Sequence, residues 1–100
     1  MNVRGCEYIV AIAEEGNISQ AARALSISQP TLSAYLSQTE AQLGYQLFTY
    51  ARRTMTPTKV GEIYIKYCRK IIETRNRTYH MISAFYNSGQ ESFTVGVTPH

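Results

Sequence analysis

After Gly61 the chain runs to Asn87-Ser88-Gly89 without a residue that would stop a helix. With Thr58 as its cap this is a helix of roughly thirty residues, about 45 Å long. A domain built from 100 residues is too small to cover such a rod. Val60, Tyr64, Tyr67, Ile71, Thr74, Thr78, Met81 and Phe85 follow alternating steps of four and three, a heptad seam that the two threonines weaken in the middle. Ile63, Ile72 and Ile82 widen the stripe. A seam that outruns its own domain asks for a partner, and a second copy of the same chain is the simplest one. The competing reading folds the helix back as core. Lys66, Arg69, Lys70, Arg75 and Arg77 line its polar sides and read as a solvated face.

Upstream the elements are short. Val3, Cys6, Ile9, Val10 and Ala13 have helical spacing over residues 2 to 15, and Gly16-Asn17 ends that helix. Ser19 then reads as the N-cap of a second helix, residues 20 to 25, with Ala22 and Leu25 facing inward. Ile27 should plug the turn Ser26-Ile27-Ser28. A third helix starts at Ser28 and runs to about Leu43, with Gly44 as its C-terminal cap. Leu32, Leu36 and Leu43 project within roughly 40° of one another and form its expected core face. Three helices, the last two joined by a three-residue turn, match a helix-turn-helix.

The third helix is unusual in what it leaves outside. Pro30, Ala34, Ser37 and Ala41 point outward with Ser33 on the flank, so the outer surface is small and uncharged. A helix entering the DNA major groove needs such a surface, with residues near its N-terminus reaching base edges. Gln29 can bond adenine N6 and N7, Thr31 and Ser33 can bond bases or phosphates, and Pro30 or Ala34 can touch a thymine methyl. Free N–H groups of the first turn suit a phosphate, and Pro30 sits where its missing N–H is no loss. By itself, Ser28-Gln29-Pro30 is equally well an ordinary cap with a proline start. Downstream, strand-tolerant residues flank Arg52-Arg53 in TYARRTMTPT, which reads as a two-stranded wing, a plain surface loop being the alternative. Ten Lys and Arg against seven Asp and Glu, for a charge of +3, agree with a nucleic-acid partner without requiring one.

Other classes find little support. Cys6 and Cys68 are far apart, with no CxxC and no histidine at ligand spacing, so a disulfide or metal site is weak and a reducing cytoplasm is expected. Cys6 fills a slot in the first helix's apolar stripe and reads as core. The histidines are His80 and His100, and no phosphate loop, HExxH or nucleophile elbow is present, so no catalytic residue, metal or cofactor is expected. No apolar run is long enough to span a membrane, and the N-terminus lacks the pattern of a signal peptide.

The segments YIVAIAEEGNISQAA (8–22), LSISQPTLS (25–33), EAQLGYQLF (40–48) and TPTKVGE (56–62) resemble LysR-type transcriptional regulators, in their N-terminal winged helix-turn-helix and linker helix. The resemblance runs from about residue 2 to 90 without gaps. It implies a homodimer, joined by antiparallel long helices, with two recognition helices on a dyad-symmetric operator in duplex DNA. Higher oligomers are open to the full-length protein. It also implies a small-molecule inducer bound by a C-terminal domain. The family's DNA contacts carry over to Gln29, Pro30, Thr31 and Ser33, with Arg53 as the wing arginine. Ser28, Ala34 and Arg52 complete the expected DNA-binding set. Ala34 stands where many members have Arg, Tyr35 where Gln is common, Thr39 at a usual Leu, Tyr50 where Arg often follows Leu47-Phe48, and Pro57 where Leu precedes Thr58. Position 34 should then read a thymine methyl or nothing.

The expected architecture is mainly α: a winged helix-turn-helix of three helices and a two-stranded wing over 1–57, then a linker and dimerisation helix over 58–88. Phe93, Val95 and Val97 alternate after a glycine turn, so 89–100 reads as a hinge and the first strand of an effector-binding domain cut short. The alternative function is a helical protein-interaction module that uses the heptad helix and has no DNA role.

Overall fold

The structure is a computed structural model and describes residues 1–88. Four helices and one hairpin follow in order: α1 Val3–Glu15, α2 Ile18–Leu25, α3 Gln29–Leu43, β1 Phe48–Ala51, β2 Thr54–Pro57 and α4 Lys59–Tyr86. The strand expected around Phe93 lies outside the described residues.

Local chemistry accounts for most boundaries. The Asn2 side chain accepts from Gly5 N at 2.7 Å and opens α1, and Gly16, in the left-handed region at φ 68°, closes it. The cap of α2 differs from expectation. Asn17, extended at φ −161°, accepts from Gln20 N at 2.9 Å, so α2 begins at Ile18 and Ser19 is already inside the helix. Either residue can cap, and packing decides: starting at Ile18 turns that side chain against the core. Ser28 caps α3 by accepting from Thr31 N at 3.2 Å, and Gly44 ends it at φ 87°. Thr58 caps α4 by accepting from Gly61 N at 2.9 Å.

The core lies where α1 is crossed by the other three helices. Cys6, Ile9, Ile12, Ala21, Leu32, Leu47 and Cys68 are essentially inaccessible. Ile12 fills the gap between the α1 positions picked out by spacing. Small Ala21 and Ala22, both buried, let α1 and α2 approach closely. One expected core residue is not in the core: Leu43 is 39% exposed, and Thr39 is buried below Leu36 instead. Leu43 projects from the correct face, but it lies about 10 Å further along the axis than Leu36, at the end of the helix. Leu47 and Phe48, which follow the Gly44 turn, are buried in the core.

The N-terminal half of α4 lies on α1, with Ile65 and Cys68 buried in the core. Two of its cations pair with that helix, so the polar side is not simply solvated: Arg69 meets Glu14 at 2.9 Å and Arg75 meets Glu7 at 3.0 Å. The cysteines, 62 positions apart, become neighbours in the core as free thiols. Burial, with the hydrogen bond to Cys6, pushes the Cys68 thiol up to about 12. Burial raises Tyr64 as well. From Asn76 to Phe85 every residue is exposed, so the distal part of α4 projects beyond the domain, in a molecule of 57 × 25 × 22 Å. The expected seam divides accordingly. Val60, Tyr64 and Ile71 pack partly on the domain, whereas Tyr67, Thr74, Thr78, Met81 and Phe85 are exposed.

Candidate nucleic-acid interface

The N-terminal turn of α3 is presented to solvent. Ser28, Gln29, Pro30, Thr31 and Ala34 are exposed and Ser33 is half-buried. Leu32 and Leu36 bind the opposite face to the body of the domain. Tyr35 adds a lateral anchor, its ring edge-on to Tyr8 with centroids 5.2 Å apart and its hydroxyl against Gly5. Few first-turn donors are left for a phosphate. Pro30 has none, the N–H of Thr31 donates to the Ser28 hydroxyl, and that of Leu32 donates to the Ser28 carbonyl. Only the Gln29 N–H stays open among the described residues of that turn. The Ser28 hydroxyl also donates to Thr31 Oγ1 at 2.7 Å, which fixes both small side chains. The turn carries no acidic residue to repel a backbone.

The wing is an antiparallel hairpin with register Phe48↔Pro57, Thr49↔Thr56, Tyr50↔Met55 and Ala51↔Thr54. Its two-residue turn is Arg52-Arg53, both at positive φ, 54° and 65°. Such turns favour Asn-Gly because the left-handed region costs other residues about 1 kcal/mol or more each. This chain holds two arginines there, exposed and facing no acidic group among the described residues. The wing is tied to the helices through both strands: Met55 N, in the second pair from the turn, donates to the Gly16 carbonyl at 2.9 Å, and Phe48 at the base is buried.

A cleft of about 310 Å³ brings the two parts together, lined by Asn17, Ile18 and Ser19 of the α2 start, Gln29 of α3, and Tyr50 and Met55 of the wing. Gln29 and the wing therefore share one surface. Within it the Ser19 hydroxyl donates to Gln29 Oε1 at 2.8 Å. Ser19 does not stand out as a site residue in the sequence, and Tyr50 does so only as a departure from a common Arg. They meet Gln29 only because the turn folds α2 and α3 together and the wing closes over their ends.

Among the described residues no cluster of His, Cys, Asp and Glu could hold a metal ion, and no helix is long and apolar enough to cross a membrane.

Three helices with a two-stranded hairpin after the third, the third helix exposing its start beside the hairpin, define a winged helix-turn-helix. The fold matches solved examples. The BenM DBD in complex with benA site 1 DNA superimposes with TM-score 0.80 at 31% identity, over 90% of this chain and 100% of that one. The CbnR DBD–DNA complex gives TM-score 0.75 at 32% identity, over 84% and 97%. The family model described as bacterial regulatory helix-turn-helix protein, lysR family, matches residues 3–62, and the chain belongs to that family. The nitrogen assimilation regulatory protein nac of Escherichia coli (strain K12) is 39% identical over 99% of this chain and 32% of its own length. The chain spans about a third or less of the length of the curated relatives it matches.

Proposed function

We propose that this chain is the DNA-reading part of a transcriptional regulator, binding duplex DNA sequence-specifically as a homodimer. The observation that carries this reading is the shared surface: an uncharged, exposed α3 start lies beside a hairpin tipped by two unpaired arginines. The helix start has the size and chemistry to enter a major groove, and the wing has the charge to hold the adjacent phosphates. Similarity to two proteins solved as DNA complexes supports a duplex-DNA partner. Ser28, Gln29, Pro30, Thr31, Ser33 and Ala34 are assigned to the groove and its edge, Arg52 and Arg53 to the backbone. Residues 1–57 form the DNA-binding unit, and 58–88 the helix that joins two copies.

The dimer rests on the exposed row Tyr67, Thr74, Thr78, Met81 and Phe85, continuous with Val60, Tyr64 and Ile71. Tyr67, Met81 and Phe85 are 49%, 66% and 52% exposed, and an apolar row of this kind along a projecting helix supports a second copy that covers it. The buried free thiols suit the reducing cytoplasm in which such a regulator would act. The reading assigns the chain no catalysis; effector control would belong to residues C-terminal to 88.

The test is selection from a randomised duplex library, followed by footprinting and light scattering. A dyad-symmetric site bound by two chains is expected. Protection without symmetry, or equal affinity for all duplexes, would overturn it. Met81→Glu should shift the dimer toward monomer and weaken binding to the full site more than to a half-site.

A further inference from the structure

We propose that Ser19 sets the base preference of this regulator by holding Gln29 with its amide nitrogen turned outward. The inference rests on the groove-reading role of α3 and adds to it which base Gln29 selects.

A glutamine amide presents one acceptor oxygen and an NH₂ donor group on the same carbon, at opposite corners of a plane. Pairing with adenine uses both ends, the oxygen accepting from N6 and the nitrogen donating to N7. Here the oxygen is engaged inside the protein, since the Ser19 hydroxyl donates to Gln29 Oε1 at 2.8 Å. Ser19 is available because Asn17 has taken the capping role on α2. Its hydroxyl therefore lies across the turn, ten residues from its partner, at the mouth of the cleft formed with Tyr50 and Met55. Because Nε2 sits at the opposite corner of the amide plane, drawing Oε1 back toward α2 makes Nε2, on an exposed residue, the end assigned to the groove.

Oε1 keeps a second lone pair, but held toward Ser19 it is turned away from a base that meets Nε2. The amide thus offers the groove its donor end, and a donor seeks a base edge that offers acceptors. Guanine presents two side by side, N7 and O6, which the two N–H groups of Nε2 can meet together. Thymine presents one, O4. Adenine loses the partner for its N6 donor, and cytosine offers a donor alone. The preference at the base pair facing Gln29 is therefore guanine first and thymine second. Ser19 acts through Gln29 and is a positioning residue, not itself a base contact.

The experiment measures competition binding of the chain to duplexes carrying each of the four base pairs at every operator position, for the native protein, Ser19→Ala, Ser19→Thr and Gln29→Ala. The native chain should favour guanine over adenine about fivefold at one position per half-site, the effect of one hydrogen bond of ordinary net worth. Ser19→Ala should erase that ratio by freeing the amide to rotate, with little loss of stability because alanine suits an exposed helical position. Ser19→Thr keeps the hydroxyl and should keep the ratio. Adenine preference in the native chain overturns the proposal. So does a Ser19→Ala protein that retains the native ratio, or one that loses affinity equally for all four bases, as a phosphate contact would. If Gln29→Ala changes no base ratio at any position, the groove-reading role of Gln29 fails first, a result distinct from failure of Ser19 alone.

Discussion

Gly61 lies in the first turn of α4, yet it is the residue through which the long helix docks on the wing's base. Thr58 N donates to the Leu47 carbonyl at 2.9 Å, and the Thr58 hydroxyl donates to the Gln46 carbonyl at 2.7 Å. These bonds draw α4 so close that a Cβ on Gly61 would overlap the Leu47 carbonyl oxygen and lie 2.9 Å from its carbon. In an open helix, Gly61→Ala would gain about 1 kcal/mol from propensity. Here the Leu47 peptide must retreat, at about 1–3 kcal/mol for overpacking a closed contact. The retreat also breaks the two hydrogen bonds, worth about 1 kcal/mol each. The net expectation is a loss of about 2–4 kcal/mol. Urea unfolding at fixed protein concentration measures it, since a dimer's stability depends on concentration. Gly44→Ala is the control: nothing lies within 4 Å of that Cβ, but φ is 87°, so the backbone alone should cost about 1 kcal/mol. A Gly61→Ala protein as stable as the native one would refute the close docking of α4 on Leu47.

Other perturbations separate stability from binding. Replacing Arg52-Arg53 by Asn-Gly should relieve the positive-φ strain and raise stability by about 1 kcal/mol, while weakening all duplexes and flattening the dependence of log K on log salt by one to two units; a stability decrease would contradict the strained turn. Tyr50→Arg, at a wing position 68% exposed, should tighten binding to any sequence and steepen the same salt slope by about one unit, and an unchanged slope would place Tyr50 away from the backbone. Because Cys68 in the folded state is raised from 9.0 to about 12, the unfolded chain releases that proton first. Stability should therefore hold below pH 9 and fall as pH rises toward 12. Cys68→Ala should flatten this alkaline slope in pH-dependent unfolding, whatever its cost at neutral pH.

The sequence by itself determined the elements whose signals are local. Ser28, Thr58 and Gly44 mark helix ends because capping needs only neighbouring atoms. The wing shows as two strand-tolerant runs around a polar pair, and α4 as an uninterrupted rod with a periodic stripe. Gln29 and Arg53 could be named as candidate contacts from their place in those elements. Only the tertiary structure decided matters that depend on who arrives alongside. Leu43 has the helical phase of a core residue, but whether a neighbour reaches that far along the axis is not encoded in phase, and Leu43 is exposed while Thr39 is buried. Asn17 and Ser19 are equal as caps until Ile18 must face the core, and the residue released from capping then binds Gln29. Arg69 and Arg75 look solvated until α1 brings Glu14 and Glu7 to them. Periodicity and caps record what a segment does within its own few turns. Contacts between residues ten to seventy positions apart arise from packing, and packing turned a plausible glutamine into an oriented one.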